Sequence, residues 1–303
     1  MKRVLITGVN SYIGKSVVGY LEKYNEKLGK EAYQVVCISQ RTPDWEQYDF
    51  SAYDSILDVT GISQVDERKL GEEQENNYYE INSHLACKTA QKAKREGIKQ
   101  FIYLSSILVY GDAGLQRKSS TITESTKLNP TSIYGKSKCQ AEGRLKELEE
   151  ETFQVAIVRL PFVYGPDCKN GYALLSRWAG KLPLIPTTSD EKSMIYIENL
   201  CEFLRLLIEA EVGGVYFPQN ATTASTMRML EEIRTVRGRS TYKCSLLNPV
   251  IRLLMRMPGR CGKVTRRIMA GQCYELSMSN ALGNYQIVDL VESIQRTEGK
   301  GKG

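Results

Sequence analysis

The sequence predicts an α/β fold, a doubly wound parallel sheet covered by helices with a smaller C-terminal lobe. Short β-branched runs alternate with longer amphipathic stretches in the first half of the chain, as in successive βαβ units. The first run, RVLI, leads directly into the glycine-containing turn TGVNSYIG at residues 7–14. After about residue 165 this alternation ends and loop-like segments begin, which indicates a separate lobe.

The individual elements are predicted from the same patterns. Strands are predicted at RVLIT, YQVVCIS, SILDVT, QFIYLS and QVAIVRL, and helices over residues 14–27, 74–96 and 134–150. MIYIENLCEFLRLLIEA reads as a strand that turns into a helix, and GGVYFP as a further strand. Each parallel strand leads into a loop at the carboxyl edge of the sheet, where open α/β sheets bind ligands.

The domain organisation is predicted from where the alternation holds. Residues 1–165, joined by residues 193–218 returning to the sheet, form the larger domain. Residues 166–192 and 219–296 form the lobe, which we expect to bind substrate. The last segment, TEGKGKG at residues 297–303, is expected to be a flexible tail.

Composition narrows the class of protein. The 303 residues are 42% hydrophobic and 25% charged, the balance of a soluble globular enzyme, and the net charge of +6 favours anionic ligands only mildly because it is spread along the chain. The eight cysteines form no CxxC pair, and His84 is the only histidine, so we expect reduced thiols, a cytoplasmic location and no metal site. No apolar run reaches the ~20 residues of a membrane span.

The turn TGVNSYIG has an incomplete glycine pattern. A dinucleotide-binding turn uses glycines so that the backbone can approach a pyrophosphate, which rests on the N-terminus of the next helix. Gly8 and Gly14 are present, but Ser11 stands where a middle glycine would be expected. Whether the turn binds a dinucleotide therefore depends on the rest of the chain.

A catalytic group is predicted in SIYGKSK at residues 132–138. Tyr134 and Lys138 lie four residues apart, so on a helix they share one face. A neighbouring ammonium favours the phenolate of a tyrosine, whose ordinary pKa is near ~10, and makes it usable as a base. Ser106 follows the strand QFIYLS and could bond the same substrate oxygen. A Tyr and a Lys at this spacing are by themselves common on protein surfaces. Here they follow a strand with a glycine turn and a later strand that ends in a serine, and this order favours a catalytic role.

The chain resembles an extended short-chain dehydrogenase/reductase of the NAD-dependent epimerase/dehydratase family. The similarity runs nearly end to end, through TGVNSYIG, YDSILDVTGI, YYEINSHLACKTAQKAKREGIKQFIYLSS, VYG, YGKSK, VRLPFVYGP, MIYIENL and LGNYQIVDLVESIQRT. The resemblance implies a Rossmann-type NAD(P) domain with the catalytic residues Ser106, Tyr134 and Lys138. It implies cofactor contacts from the catalytic pair and from Gly8, Asn10, Ser11, Tyr12, Ile13, Gly14, Arg41, Asp49, Val59, Thr60, Gly61, Asn82, Ser105, Pro161 and Val163.

Several positions depart from the family pattern. Members that use NAD commonly end the second strand in an acid, whereas here Arg41 could meet the 2′-phosphate of NADP; a solvated Arg41 with Asp44 slightly displaced is an equal alternative. Asp58 replaces a usual histidine, with a structural hydrogen bond as the simplest expectation. The dehydratase acids are replaced by Ile107 and Leu108, so sugar dehydration is not expected.

These departures leave Tyr134 as the only acid/base, which suffices for hydride exchange at one carbon. We therefore expect an NAD(P)-dependent nucleotide-sugar epimerase or ketoreductase of the 4-epimerase type. A non-catalytic NADP-binding sensor or scaffold on the same fold is the alternative. Nucleic-acid binding is not expected, and a homodimer is compatible with the sequence.

The role of one basic stretch has three alternatives. Its cations could grip a nucleotide diphosphate, sit on an anionic membrane, or form an ordinary solvated helix face. The cluster consists of Arg252, Arg256, Arg260, Lys263, Arg266 and Arg267.

Overall fold

A computed structural model describes residues 1–62, 71–112, 120–169, 171–187, 191–269 and 271–299. Within these ranges the strands are β1 Lys2–Thr7, β2 Tyr33–Ile38, β3 Ser55–Asp58, β4 Gln100–Ser106, β5 Ser120–Ile122, β6 Gln154–Leu160, β7 Phe162–Tyr164, β8 Leu184–Ile185, β9 Glu191–Lys192, β10 Met194–Tyr196, β11 Gly214–Tyr216, β12 Ala224–Ser225, β13 Tyr242–Lys243 and β14 Gln272–Tyr274. The helices are α1 Tyr12–Leu28, α2 Glu72–Tyr79, α3 Ala86–Arg95, α4 Ile133–Lys146, α5 Gly171–Ala179, α6 Ile197–Ala210, α7 Thr226–Val236, α8 Leu247–Arg256, α9 Gly259–Met269 and α10 Leu290–Gly299.

Six of these strands form one parallel sheet. Its order is β2-β1-β3-β4-β6-β11, and each neighbouring pair is parallel. The strand order reverses between β1 and β3, and a reversal of this kind opens a crevice at the carboxyl ends of the strands. The predicted α/β class and parallel sheet are confirmed.

The sheet is covered on both faces because alternate side chains of each strand point to opposite sides. Val4 and Ile6 of β1 belong to a hydrophobic cluster that includes residues of α1 and α6. Leu5, which lies between them, belongs to the second cluster, together with residues of α3 and α4. This three-layer arrangement fixes the edge of the sheet at which the polar loops gather.

All five strands predicted in the first half of the chain are present, and so are the strand at 214–216 and the strand-to-helix turn from β10 into α6. The helix predicted over 74–96 is divided. It runs as α2, then as a π-helix over Glu80–Leu85, then as α3. The helix predicted over 134–150 ends at Lys146, where turn hydrogen bonds of Leu148 and Glu149 replace helical ones.

The remaining strands form two-stranded pairs, β10 with β7, β12 with β9, β13 with β8 and β14 with β5. The last helix, α10, extends to Gly299, so the expected tail is helical over its first three residues. Glu298 is held there because its carboxylate accepts hydrogen bonds from the Tyr172 hydroxyl at 2.9 Å and the Arg237 guanidinium at 2.8 Å. Residues 300–303 of that tail lie outside the described residues.

The described ranges contain neither a membrane-spanning helix nor a cluster of metal ligands. Among their helices, none is both long and apolar enough to cross a membrane. The same ranges contain no group of three or more His, Cys, Asp or Glu side chains arranged to hold a metal ion.

Candidate active site

A cleft of about 1400 Å³ opens at the carboxyl edge of the sheet. Its walls include residues that follow β1, β2, β3, β4 and β6, and residues of the lobe such as Thr226 and Gln272. Pockets for one drug-sized ligand measure roughly 300–1000 Å³. The cleft therefore has room for a dinucleotide and a second ligand.

The turn between β1 and α1 keeps the glycine that its backbone requires. Gly8 has φ +74°, and a Cβ there would lie 3.1 Å from the Thr60 backbone nitrogen. Ser11 has φ −65°, which any residue adopts, and its Oγ caps α1 by accepting from the Gly14 N–H at 3.4 Å. Serine at this position causes no strain, because the position needs no left-handed backbone.

The loop after β3 is held against the helices by Asn82. The buried Asn82 amide accepts from the Ile62 N–H at 2.8 Å and donates to the Ile62 carbonyl at 3.3 Å and to Ser137 Oγ at 3.1 Å. A Cβ on Gly61 would lie 3.1 Å from Asn82 Oδ1 and 3.4 Å from Lys138 Nζ. Glycine therefore lets this loop approach both side chains, and Asn82 positions the loop instead of facing the cleft.

The cleft offers donors and cations to an anionic ligand. The Tyr12 hydroxyl is buried and has no hydrogen-bond partner among the described residues, and burial raises the pKa of Tyr12, so it keeps its proton. Arg41, Lys138 and Lys192 line the cleft, and Asp112 is the one acidic side chain among its described lining residues. A close-approach turn, an unpartnered donor and an excess of cations fit a dinucleotide such as NAD.

Ser106, Tyr134 and Lys138 meet in this cleft. Ser106 ends β4, and its side chain is hydrogen bonded to the side chain of Tyr134. Lys138 lies one turn further along α4, where Nζ donates to the Leu104 carbonyl at 2.8 Å and lies 4.4 Å from the centre of the Tyr103 ring. The predicted group is therefore assembled, with the ammonium directed to the end of β4.

Gly135 allows α4 to approach the segment that directly follows β4. A Cβ at this position would lie 2.5 Å from the Leu108 carbonyl oxygen, far inside contact distance. Ser132 caps the helix at the same point, because its Oγ accepts from the Gly135 N–H at 3.0 Å. The distance between Tyr134 and Ser106 thus depends on a glycine inside the first turn of α4.

The protonation of the pair differs from the prediction. Burial raises the pKa of Tyr134 to about 12, while the hydrogen bond from Ser106 acts in the opposite direction. Burial also lowers the pKa of Lys138 to about 8, against the charges of Asp58 and Glu142. The expectation that Lys138 lowers the Tyr134 pKa is wrong for this arrangement, because desolvation of the phenolate dominates and the ammonium bonds Leu104.

Asp58, for which a structural bond is the expectation, starts a buried polar chain beneath the cleft. Its Oδ1 lies 2.5 Å from Thr7 Oγ1 and accepts from the Thr60 N–H at 3.2 Å. Its Oδ2 is buried and has no hydrogen-bond partner among the described residues. Burial raises the pKa of Asp58, although the nearby Lys138 charge lowers it.

Thr89, at the end of this buried polar chain opposite Asp58, fixes the direction of the hydrogen bonds next to it. Thr89 Oγ1 lies 2.8 Å from the Leu85 carbonyl, which can only accept, so the single hydroxyl proton of Thr89 points there. Thr89 must therefore accept from Gln40 Nε2, 2.6 Å away. Gln40 Oε1 then faces Thr60 Oγ1 at 2.7 Å and requires the proton of Thr60.

The protonation state of Asp58 depends on which neighbour receives the Thr7 proton. Thr60 gives its proton to Gln40, so its contact with Thr7, 3.0 Å away, holds a hydrogen only if Thr7 donates to Thr60. In that arrangement the Asp58 carboxyl must supply the hydrogen of its own contact with Thr7, whereas a Thr7 that donates to Asp58 serves an ionised carboxylate. Burial, which raises the Asp58 pKa, favours the protonated carboxyl.

Most of the predicted site residues lie around the cleft. Those that line it are Gly8, Asn10, Ser11, Tyr12, Ile13, Arg41, Val59, Thr60, Gly61, Ser105, Ser106, Tyr134, Lys138, Pro161 and Val163. Ile107 and Leu108 also line it, so apolar side chains stand where dehydratases keep acids.

Three predicted cofactor residues are placed differently. Gly14 lies behind the turn, where a Cβ would come within 3.1 Å of Val59 Cγ2. Asn82 is used in holding Ile62. Asp49 is exposed outside the cleft, and its carboxylate accepts from the Ser51 N–H at 2.8 Å. The physical reason is that Trp45, in the 3₁₀ helix Pro43–Glu46, and Phe50 pack into the second hydrophobic cluster, while Asp49 between them is left exposed.

The lobe contributes residues that the sequence patterns did not indicate. They come from separate short segments with no periodic signal, so only the folded chain brings them together. These residues are Leu174, Leu175, Lys192, Thr226 and Gln272. His84, in contrast, lies outside the cleft, where its Nδ1 lies 2.8 Å from the Glu80 carboxylate near solvent.

The chain is similar in sequence to a family of epimerases and dehydratases and to two curated 4-epimerases. The sequence model of the NAD dependent epimerase/dehydratase family matches residues 4–216. UDP-glucose 4-epimerase of Vibrio cholerae is 29% identical over 172 residues, which are 55% of this chain and 52% of that protein. N-acetyl-alpha-D-glucosaminyl-diphospho-ditrans,octacis-undecaprenol 4-epimerase of Escherichia coli O157:H7 is 30% identical over 142 residues, which are 45% of this chain and 41% of that protein.

The chain thus aligns with about half the length of these curated relatives. Among solved structures, UDP-glucuronic acid 4-epimerase from Bacillus cereus in complex with NAD superposes with a TM-score of 0.71. That superposition covers 98% of this chain and 97% of the other, at 18% identity, and shows that the fold is shared.

Proposed function

Because the chain belongs to the NAD dependent epimerase/dehydratase family, we propose that it inverts one carbon of a nucleotide-linked sugar by hydride transfer, as a 4-epimerase. The observation that carries this proposal is the cleft itself. It joins Ser106, Tyr134 and Lys138 and presents Ile107 and Leu108 where a second proton-transfer pair would have to stand. Both curated relatives are named as 4-epimerases, which supports the same reaction.

The cofactor end of the cleft is assigned to the turn and the loop after β3. Gly8 and Gly61 let the turn and the loop after β3 pack closely against Thr60, Asn82 and Lys138. Tyr12 donates to the cofactor in this proposal, and Arg41 lies beside the end of β2. A bound nicotinamide would supply the acceptor for the hydride and then return it. Retention of the cofactor between the two transfers is what distinguishes an epimerase from a ketoreductase on this site.

Tyr134 exchanges the proton of the sugar hydroxyl in this proposal. At neutral pH it carries a proton, because burial raises its pKa to about 12, so it is ready to donate to a ketone oxygen. For oxidation it must first lose that proton, and the Ser106 side chain favours this loss because it lowers the Tyr134 pKa. Ser106, bonded to Tyr134, orients the same oxygen.

The substrate's diphosphate is assigned to the lobe side of the cleft. Lys192 is the cation there among the described lining residues, and Thr226 and Gln272 add polar groups. Leu174, Leu175 and Phe162 form an apolar wall that can cover one face of a sugar or base. These contacts choose the sugar's orientation and leave Tyr134 as the group that reacts.

The test uses purified protein, NAD or NADP, and a panel of UDP-sugars and polyprenyl-diphosphate sugars, with products separated by mass and chromatography. We expect one epimer pair to equilibrate without net change of cofactor. Tyr134→Phe should lower turnover by at least ~10² with cofactor affinity retained, and Tyr242→Phe, an exposed tyrosine outside the cleft, should not. Equal turnover in Tyr134→Phe and wild type would refute the assignment. Net oxidation or reduction of cofactor would make the protein a ketoreductase or dehydrogenase.

A further inference from the structure

Helix α8 presents an apolar stripe to solvent. Leu246, Val250, Leu253 and Met257 are 80%, 50%, 64% and 42% exposed. Their spacing of four, three and four residues places them on one helical face. The helix buries none of its residues. A ten-residue helix is marginal by itself, so an apolar face left in water is unusual here.

The two-stranded ribbon that is hydrogen bonded to the start of α8 through Thr187 and Asn248 exposes two more large apolar side chains. Tyr242 and Leu184 are register partners in the parallel pair β13–β8, so their side chains lie on the same side of the ribbon. Both are exposed, at 61% and 52%. Six apolar side chains, Leu184, Tyr242, Leu246, Val250, Leu253 and Met257, are called the apolar face below.

Anchoring contacts hold α8 in an orientation that keeps this face outward. Asn248 accepts from the Thr187 N–H at 3.0 Å and donates to Thr187 Oγ1 at 2.6 Å. At the other end, the Arg266 guanidinium of α9 donates to the carbonyls of Met255, at 2.5 Å, and Met257, at 3.3 Å. The face is therefore displayed by a fixed helix.

The segment that carries β13 and α8 is basic in sequence, and its Lys243 is ion-paired with Glu231 of α7 at 2.9 Å. From Ile233 to Tyr274 the sequence contains ten Lys or Arg residues and no Asp or Glu. Arg252 and Arg256 are exposed, lie one turn apart on one flank of the stripe, and pair with no carboxylate among the described residues. Neither lines the cleft, so they are not placed to grip a ligand bound there.

We propose that the apolar face of α8 and the β8–β13 ribbon docks on the surface of an anionic lipid bilayer. A fixed helix with Leu, Val and Met on one side and arginines beside them matches an interfacial helix, whose apolar side enters the headgroup boundary while its cations meet lipid phosphates. A second copy of the chain fits less well. Two-fold pairing through this face would bring Arg252 and Arg256 of both copies together without an acid between them.

The experiment is flotation of the full-length protein with vesicles of phosphatidylglycerol and phosphatidylcholine, and with vesicles of phosphatidylcholine alone. We expect binding to the anionic vesicles, loss of binding at high salt, and weak binding to the neutral vesicles. Leu253→Glu and the double variant Arg252→Glu/Arg256→Glu should each weaken anionic-vesicle binding by at least about tenfold.

Matched controls lie on α1, away from the apolar face. Leu28→Glu replaces another exposed leucine, and Lys23→Glu/Lys27→Glu reverses two exposed cations at the same i, i+4 spacing; both should bind as wild type. Leu246→Gln, at the most exposed position of the stripe, provides a second variant whose folding does not depend on the replaced side chain. Absence of wild-type flotation, or equal losses in test and control variants, overturns the proposal. Vesicle-independent dimers that Leu253→Glu dissociates would show instead that a second copy covers the face.

Discussion

A protonated Asp58 donates a hydrogen to Thr7 in the buried polar chain. In Asp58→Asn an amide N–H takes the place of this carboxyl proton. The amide can still donate to Thr7, and it gives up the acceptor for the Thr60 N–H, a contact of 3.2 Å. The loss of that one bond costs about 0.5–1.5 kcal/mol. Asp58→Ala loses both contacts, for about 1–3 kcal/mol, and lowers Tm by roughly 2–4 °C for each kcal/mol.

The pH dependence separates a protonated Asp58 from an ionised one. Burial raises its pKa in the folded protein above the ordinary value of 3.8, so between these two values the unfolded chain has released a proton that the folded chain keeps. Unfolding then releases a proton, and the stability of wild type falls as pH rises, by up to about 1.4 kcal/mol per pH unit. Asparagine has no such proton.

The assay is thermal and urea unfolding of wild type, Asp58→Asn and Asp58→Ala between pH 5 and 7, below the pKa of about 8 at which Lys138 loses charge. The stability of Asp58→Asn relative to wild type should rise steadily with pH, and the infrared carbonyl band of a protonated carboxyl should disappear in the variant. A difference that is flat or falls with pH would refute a protonated Asp58 and would make it an ionised partner of Lys138.

Three further predictions concern the cleft. If Arg41 meets a 2′-phosphate, Arg41→Ala should cost about 1–3 kcal/mol of NADPH affinity and leave NADH unchanged in calorimetry, whereas equal losses would make Arg41 only a solvated side chain. Gly135→Ala brings a Cβ to 2.5 Å from the Leu108 carbonyl oxygen and should lower turnover at least ~10-fold while cofactor affinity is kept. The control is Gly143→Ala on the same helix, whose Cβ would meet nothing within 4 Å and which should act as wild type. Equal turnover in the two variants would contradict the positioning role of Gly135. Burial lowers the Lys138 pKa to about 8, so cofactor affinity should fall as pH rises through that value in wild type and stay flat in Lys138→Met; a flat wild-type profile would exclude a charged Lys138 from binding.

The sequence predicted the sheet well because strand runs such as RVLIT and QVAIVRL carry a local signal that tertiary contacts reinforce. It also placed Ser106, Tyr134 and Lys138 at one edge, since parallel strands end together. It could not give the Tyr134 pKa, because burial and the direction of the Lys138 ammonium depend on packing between α4 and β4.

Other parts of the site have no local signal at all. Asp49 lies between Trp45 and Phe50, which pack into the core and leave its own side chain exposed, so its position along the chain was a poor guide to its position in space. Lys192 and Gln272 are single polar residues in short strands, 80 positions apart, and only the folded lobe brings both to the cleft. The same holds for Asp58, whose buried polar chain runs through residues spread along the sequence, namely Thr7, Gln40, Thr60, Leu85 and Thr89.

The most direct test of the proposed hydride transfer at a single carbon is the fate of deuterium during turnover. Product formed in deuterated water from unlabelled UDP-sugar should carry no deuterium on any sugar carbon, because Tyr134 moves only the hydroxyl proton and Ile107 and Leu108 leave no second acid/base. Substrate labelled with deuterium at carbon 4 should give an epimer that keeps it there. Solvent deuterium at carbon 3 or 5, or loss of the carbon 4 label to water, would contradict this chemistry.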